Sequence, residues 1–440
     1  MKVGAISLGC DKNRVDTERL LGFVLQAGHQ IVNNIDEADL VIVNTCAFLQ
    51  SAVKESLDTV FEARSHKNVK YLVVAGCLPM RYLSELTAND GLKEADALLD
   101  NSCYDRIGEV IERLEKGEKV VLTNAGGREK VENRVVTTPY HYAYLKVSDG
   151  CDNKCTFCAI PGIRGAYKST PIEAVVKEAE GLVGQGVSEL ILVAQDVTRY
   201  GTDLYGESKL IELLRALVKL PVSKIRLLYC YPDMCTDELI DFIDSEPKIA
   251  KYIDMPMQHA ADGVLKRMNR RDTEATLRDR IAYIRSKKSN IAIRSTFMVG
   301  FPQESEEEFE ELLRFLTEQK LDNVGFFAYS KEEGTPAARM KGQIPLRVKK
   351  ERLKKAVATQ SLIAEEKAKQ KVGQVLSVVY DGIDYDKQTF YGHTERLCPD
   401  VDAKVYFASA DPVEIGESYP VLIKKTKKLD LYGQVVESKQ

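Results

Sequence analysis

The sequence has no long hydrophobic run and no surplus of charge of one sign. In its 440 residues no apolar stretch reaches the roughly 18 residues of a membrane helix. The start runs directly into a strand pattern, without the apolar region of a secretory signal, so we expect a cytoplasmic protein. The 62 basic and 66 acidic residues leave a net charge of −4. This balance argues against a protein held mainly by nucleic-acid phosphates.

Ten cysteines stand out against this even composition. They are dilute and irregularly spaced over the chain, which excludes a small disulfide scaffold. In a cytoplasmic protein their thiols are reduced by default, so some of them are candidates for metal binding. The length allows about three domains.

The first third of the chain alternates short apolar strands with amphipathic helices, which predicts a parallel α/β sheet. Three predicted strands, at 3–8, 40–43 and 71–75, are each followed by a cysteine. These cysteines are Cys10, Cys46 and Cys77. Parallel strands end at one edge, where open α/β sheets bind ligands, so three thiolates there could hold three irons of a four-iron cluster. The alternative is that each is an ordinary buried cysteine, and this is our interpretation of Cys103.

The middle of the chain predicts six strand–helix units. The strands are predicted at 142–147, 189–194, 224–229, 252–255, 291–297 and 323–328, and the helices at 172–184, 208–219, 236–245, 274–288 and 305–319. Six units are too few for a complete eight-unit barrel. The pattern fits either an open, partial barrel or a doubly wound sheet.

The strongest chemical signal is the loop after the first of these strands, Gly150-Cys151-Asp-Asn-Lys-Cys155-Thr-Phe-Cys158. Three cysteines in one such loop can ligate three irons of a cubane and leave the fourth iron open. An open coordination position is typical of a reaction site rather than of a structural metal site. A zinc knuckle would need a fourth ligand nearby, and the nearest histidine, His141, lies upstream in the strand.

This Cys-x-x-x-Cys-x-aromatic-Cys loop resembles the radical S-adenosylmethionine (SAM) superfamily. The resemblance implies a partial (β/α)6 barrel, with SAM bound to the open iron of a [4Fe-4S] cluster on Cys151, Cys155 and Cys158. It implies that cleavage of SAM gives a 5′-deoxyadenosyl radical, which abstracts hydrogen from a C–H bond. Strand-end groups would contact SAM: Arg294 its carboxylate and Gln195 its amino group. The alternative is that such polar groups merely cap helices.

Three further side chains in the barrel are candidates for a functional role. His259 is one of only five histidines, but radical abstraction needs no general base, so we expect a hydrogen-bonded structural imidazole. Cys230 and Cys235 flank a turn and could bind metal. Neither matches the family pattern, and we interpret both as structural.

The cysteines upstream of this loop narrow the resemblance to one family within the superfamily. Ser-Leu-Gly-Cys10, Asn-Thr-Cys46-Ala-Phe and Ala-Gly-Cys77-Leu resemble the amino-terminal domain of the methylthiotransferase family. In that family these cysteines hold a second [4Fe-4S] cluster, whose open iron carries the sulfur to be inserted. One SAM would supply the radical and another the methyl group, which converts C–H to C–S–CH3. The implied domains are an amino-terminal cluster domain at 1–125, a radical SAM core at 137–370 and a TRAM domain at 372–438.

The last third of the chain contains a predicted basic helix followed by a region of short predicted strands. Residues 346–371 form a predicted helix with nine basic and three acidic residues, which could meet nucleic acid but which we interpret as a solvated connection. From residue 373, short alternating strands with Gly and Asp turns predict a small antiparallel β-barrel. This barrel resembles the TRAM domain, an OB-like module that usually binds RNA.

Regional charge bears on the substrate. Residues 373–440 hold eight basic and eleven acidic residues, and residues 1–140 hold 17 and 21. An acidic terminal barrel repels an RNA backbone and attracts a basic protein. The strings Val193-Ala-Gln-Asp-Val-Thr-Arg-Tyr-Gly and Met255-Pro-Met-Gln-His resemble the RimO branch of the family, which modifies the β-carbon of an aspartate in ribosomal protein S-twelve. The tRNA branch, MiaB, more often has a basic terminal domain.

Three hypotheses therefore remain. The first is methylthiolation of a basic ribosomal protein of the small subunit, with a reducing electron donor such as flavodoxin or ferredoxin. The second is methylthiolation of a tRNA adenosine by the same machinery. The third is a non-catalytic iron–sulfur carrier, which the loop of three thiolates disfavours because electron carriers usually saturate their clusters. The charge of the terminal barrel discriminates between the first two.

Overall fold

The computed structural model describes residues 1–123 and 134–437, in three units that follow one another along the chain. The predicted domain boundary at residue 125 and the predicted end at residue 438 lie outside the described residues.

The first unit is an all-parallel, six-stranded sheet. Its elements are β1 (Lys2–Ser7), α1 (Asp11–Gln26), β2 (Gln30–Ile31), β3 (Leu40–Thr45), α2 (Gln50–Ser65), β4 (Tyr71–Gly76), α3 (Cys77–Thr87), β5 (Ala97–Leu99), α4 (Ile107–Glu115) and β6 (Val120–Leu122). The strand order is β2-β1-β3-β4-β5-β6, so the order reverses between β1 and β3. Helices α1 and α4 cover one face, and α2 and α3 the other, which explains why every residue of β3 is buried. The predicted parallel α/β sheet is confirmed.

The second unit contains six parallel strands with helices between them and, in addition, one short antiparallel hairpin of two strands. Its elements are β7 (Tyr142–Lys146), β8 (Ser148–Asp149), α5 (Ile160–Arg164), β9 (Lys168–Ser169), α6 (Ile172–Gly184), β10 (Glu189–Val193), α7 (Thr202–Tyr205), α8 (Leu210–Leu217), β11 (Lys224–Leu227), α9 (Asp237–Ser245), β12 (Tyr252–Asp254), α10 (Asp262–Arg267), α11 (Glu274–Arg285), β13 (Ala292–Val299), α12 (Glu306–Gln319), β14 (Asn323–Ala328) and α13 (Leu346–Lys369). Two parallel arcs, β7-β10-β11 and β12-β13-β14, meet where Ile225 bridges Ile249. No pairing joins β7 to β14 within residues 134–437, so the barrel is open on that side.

Packing on the inner side of the strands shows that this unit is a partial barrel rather than a doubly wound sheet, whose own helices would cover both faces. Side chains on the outer side of the strands pack with the surrounding helices. Side chains on the inner side, among them Tyr144, Ile191 and Tyr252, pack with one another. Val15 of α1 and Cys398 of the third unit complete this inner core. Both neighbouring units therefore help to fill the open barrel.

The third unit is a small closed barrel of β15 (Val375–Asp384), β16 (Thr389–His393), β17 (Val405–Ala408), β18 (Ser418–Lys427) and β19 (Asp430–Val435). Its order is β15-β16-β17-β19-β18, with every pair antiparallel except β17 and β19. The loop between β16 and β17 leaves this barrel and reaches the inner side of the partial barrel. There the hydroxyls of Tyr142 and Tyr252 donate hydrogen bonds to Asp400 and Asp402, at 2.6 and 2.8 Å.

The basic helix α13 connects the second and third units. Two of its basic residues are buried rather than solvated: Arg352 pairs with Glu304 at 2.8 Å, and Lys349 donates to the carbonyl of Tyr329 at 2.9 Å. Part of its positive charge is thus used inside the protein. Across residues 1–123 and 134–437 no helix is both long and apolar enough to cross a membrane.

Candidate functional site

Three cysteines of the first unit stand at neighbouring strand ends. Cys10 precedes α1, Cys46 follows β3 and Cys77 begins α3. Burial, together with the nearby charges of Cys77 and Cys10, raises the pKa of the Cys46 thiol to about 11. A Cβ on Gly9, which has a φ of 91°, would lie 2.9 Å from Cys46 Sγ. The three thiols therefore lie within electrostatic range of one another, and the lack of a side chain on Gly9 avoids a clash with the Cys46 thiol.

Polar side chains fix the backbone around this first triad. The Ser56 hydroxyl accepts from the Cys46 amide at 3.1 Å and donates to its carbonyl at 2.8 Å. The Asn13 side-chain amide donates to the carbonyl of Leu8 at 2.6 Å, just before the Gly9–Cys10 turn. Sequence reasoning missed both anchors, because Ser and Asn on a helix usually indicate caps or solvated positions.

Cys151, Cys155 and Cys158 form a second triad on the loop that follows β8. Their loop is tightly turned: the Cys158 amide donates to the Cys155 carbonyl at 3.1 Å, and Lys154 has a φ of 53°. Burial raises the pKa of Cys151 to about 11 and that of Cys158 to about 12, and the charge of Cys155 adds to both. The Tyr231 hydroxyl lies 3.1 Å from Cys155 Sγ. The three thiols of this loop therefore lie near one another, and their binding of a cluster stays a prediction.

The raised pKa values indicate what these thiols can do. A thiol with a pKa near 11 stays protonated at neutral pH and is a poor nucleophile. A bound metal reverses this, because coordination requires the thiolate and displaces the proton. The two groups of three thiols, of which only Cys10 is exposed, are thus suited to metal ligation rather than to covalent catalysis.

A buried charge network joins the two triads. The Arg164 guanidinium, at the end of α5, lies 3.7 Å from Cys77 Sγ through Nη2. Its Nη1 donates to Asp16 at 2.9 Å and to Asp149 at 3.1 Å. Asp149 stands two residues before Cys151, so one side chain contacts both cysteine regions.

Lys146 completes this network. Its ammonium pairs with Asp16 and with Asp149, the latter at 3.1 Å, and all four side chains are at most 5% exposed. Two cations and two carboxylates balance the buried charge. Arg164 could have been suspected from its place six residues after Cys158 in Gly-Ile-Arg-Gly, but its acidic partners are far away in sequence.

The two predicted SAM contacts differ in what surrounds them. Gln195 donates through Nε2 to Asp149 at 3.3 Å, while its buried Oε1 has no hydrogen-bond partner among the described residues. An unused buried acceptor next to the cysteine loop fits the amino group of SAM. Arg294 instead donates to Asp254 at 2.8 Å and lies 3.5 Å from Asp402. Its contact with the SAM carboxylate stays a prediction.

The remaining predicted positions are buried. His259 is fully buried, and its Nδ1 accepts from the Ala261 amide at 3.0 Å. Burial, with Arg267 and Arg352 nearby, lowers the pKa of His259 to about 3, so its ring is neutral. Its buried Nε2 has no hydrogen-bond partner among the described residues, so the expected hydrogen-bonded imidazole is met at one ring nitrogen only. Four cysteines outside the triads are also buried, in agreement with a structural role: Cys103, Cys230, Cys235 and Cys398.

Comparison with known proteins agrees with the division into three units. The Uncharacterized protein family UPF0004 matches residues 2–100, the Radical SAM superfamily residues 145–316 and the TRAM domain residues 372–436. A curated relative named "Ribosomal protein uS12 methylthiotransferase RimO" from Clostridium botulinum is 45% identical over 99% of this chain and 98% of its own length. A relative of the same name from Acetivibrio thermocellus is 42% identical over the same shares.

The chain belongs to the RimO family of radical SAM methylthiotransferases. A solved structure agrees in fold: TsrM from Kitasatospora setae, a radical SAM methyltransferase, aligns with a TM-score of 0.54 at 14% identity over 76% of each chain. As a radical SAM enzyme, this RimO family member uses SAM and a [4Fe-4S] cluster. The predicted family, fold class and enzyme class are confirmed.

Replacing Arg164 tests the network of this RimO family member. Arg164→Leu removes one of the two cations that pair with the buried Asp16 and Asp149 carboxylates, so we expect the free energy of unfolding to fall by about 3–5 kcal/mol. Arg215→Leu is the matched control, because its pair with Glu238 spans 3.8 Å between side chains 60% and 71% exposed. It should cost less than about 1 kcal/mol. Denaturant unfolding of both variants measures the difference, and equal losses would contradict the assigned role.

Proposed function

We propose that this enzyme inserts sulfur and a methyl group at the β-carbon of an aspartate of ribosomal protein uS12, giving β-methylthio-aspartate. The observation that carries this proposal is the 45% identity, over nearly the whole of both chains, to a relative named for that protein substrate. The acidic terminal unit supports it, since a surplus of carboxylates favours a basic protein over an RNA backbone. A reducing electron donor such as flavodoxin or ferredoxin completes the set of partners.

We further propose that each cysteine triad holds one [4Fe-4S] cluster. Cys151, Cys155 and Cys158 would ligate the cluster that binds SAM. The second cluster would lie on Cys10, Cys46 and Cys77, where Gly9 leaves room beside the Cys46 thiol. Three thiols in each group support a cluster with one open iron. When bound, the first cluster and SAM would supply the radical that removes hydrogen, and the second cluster would carry the sulfur that is inserted.

The protein's own groups position these components. The free Oε1 of Gln195 would accept from the SAM amino group, and its Nε2 is held by Asp149. Arg164 fixes the two cysteine regions against each other through Cys77 and Asp149. The inner core of Tyr144, Ile191 and Tyr252 keeps water out of the barrel, which protects a reactive radical from side reactions.

Mass spectrometry of a deletion strain tests the substrate. We expect the methylthio mass to disappear from ribosomal protein uS12 and to return on complementation with the wild-type gene. Methylthio nucleosides in digested tRNA should stay at the parental level. A methylthio mass lost from tRNA but kept on the ribosomal protein would overturn the proposal and select the tRNA adenosine instead.

A further inference from the structure

A cluster of metal-ligating side chains lies where the third unit packs on the partial barrel. His141 stands directly before β7, Asp381 belongs to β15 and His393 ends β16. His141 Nε2 and His393 Nδ1 each lie 2.8 Å from Asp381 Oδ1. The ligand atoms of all three residues are within 4.8 Å of one another. The cluster occupies the amino end of β7, opposite the end that leads to the Cys151 loop.

These three side chains are buried between two units of the chain. Their exposed fractions are 2% for His141, 7% for Asp381 and 3% for His393. Imidazole and carboxylate groups removed from water need partners inside the protein. His141 Nδ1 has no hydrogen-bond partner among the described residues, so the cluster is only partly satisfied.

A second carboxylate orients His393. Its Nε2 lies 3.0 Å from Glu189 Oε2, and the other oxygen of Glu189 accepts from Arg226 Nε at 2.8 Å. Metal-ligating histidines usually donate their second ring N–H to a carboxylate in this way. With its Nε2–H donating to Glu189, His393 would present the lone pair of Nδ1 to a metal ion bound beside Asp381 and His141.

The cluster carries an unbalanced negative charge that a cation would neutralise. Arg226 balances Glu189, so Asp381 has no counter-charge within the cluster while both imidazoles are neutral. A divalent metal ion would supply the missing positive charge and would use the convergent lone pairs.

We propose that His141, Asp381 and His393 bind a zinc ion that fastens the third unit to the partial barrel. Two imidazole nitrogens and one carboxylate oxygen suit zinc, whose tetrahedral geometry leaves a fourth position. A cavity of about 10 Å³ borders Asp381 and His393, which is about the size that one water ligand needs. The site is separate from both cysteine triads and does not depend on the proposed substrate.

The test uses the full-length chain, reconstituted anaerobically with iron and sulfide so that the cysteine triads are filled. It is incubated with zinc sulfate alone and desalted, and zinc is counted by mass spectrometry. We expect one zinc per chain. X-ray absorption should show only nitrogen and oxygen neighbours at about 2.0–2.2 Å. His393→Gln and Asp381→Asn should lose the zinc.

His66→Gln is the matched control, because His66 contacts a single carboxylate, Asp36, at 2.7 Å on the surface. It should retain the zinc. Asp381→Asn nearly preserves side-chain shape, and circular dichroism reports whether each variant is folded. If zinc is not retained by the wild type, shows sulfur neighbours at about 2.3 Å, or is kept by folded Asp381→Asn, the proposal is overturned.

Discussion

We expect Cys155→Ala to abolish the reductive cleavage of SAM. Cys155 is the central thiol of the Cys151 loop, and its charge raises the pKa of both neighbouring thiols, which shows how closely the three are grouped. Without it, the loop offers two thiols, too few to hold three irons of a cubane. We expect 5′-deoxyadenosine to fall to background in the presence of a strong reductant, and the iron content to fall by about half.

Cys235→Ala is the control for this experiment. Cys235 lies in the same unit but is buried in the outer core, beside Cys230. Its removal deletes one buried sulfur without touching the loop, so 5′-deoxyadenosine formation should continue. Liquid chromatography of the SAM products compares the two variants. If Cys155→Ala still cleaves SAM above background, this loop does not hold the SAM cluster.

Local periodicity predicted most of the strands and helices. The helix predicted at 172–184 coincides with α6, and all six strands of the partial barrel were predicted within a few residues. Burial explains this success, because alternating apolar and polar positions record which side of an element faces the core. The hairpin of β8 and β9 was missed because two residues per strand leave no period to detect.

The contacts between units could not be predicted in the same way. Arg164 lies near the cysteine loop in sequence, but Asp16, its partner at 2.9 Å, lies on a helix of another unit. His393 and Glu189 are likewise 204 positions apart. The sequence pattern shows which side of a helix or strand is buried, but it does not show which unit packs against that side. The strand and helix pattern alone left open the choice between a partial barrel and a doubly wound sheet, and the family resemblance predicted the partial barrel.

The cysteines of the first unit could be predicted because a simple topological rule governs them. Each follows a strand of one parallel sheet, and parallel strands end at a common edge. The structure adds that Cys10 and Cys46 follow β1 and β3, the two strands between which the order reverses. Ligands bind at such a position in open α/β sheets because the diverging loops leave a crevice.

The two cysteine triads lie in different units of the chain, which leads to the second expected result. We expect Cys46→Ala to retain SAM cleavage and to lose methylthiolation. Cys46 lies in the first unit. The side chain that connects this unit with the residues before the Cys151 loop is Arg164, which contacts both Cys77 and Asp149. Its loss leaves Cys10 and Cys77 alone, so the second cluster should not form. We expect 5′-deoxyadenosine at near wild-type levels, with no methylthio mass on purified ribosomal protein uS12.

Cys103→Ala is the matched control, since Cys103 is a buried thiol of the same unit that packs in the core rather than at the strand ends. It should keep both activities. Assaying 5′-deoxyadenosine and product mass in one reaction separates the two roles, because a misfolded variant would lose both signals. Methylthiolated product from Cys46→Ala would show that the two-cluster assignment is wrong. Loss of SAM cleavage from a folded Cys46→Ala would show that the first triad also supports radical formation, through the Cys77–Arg164–Asp149 connection.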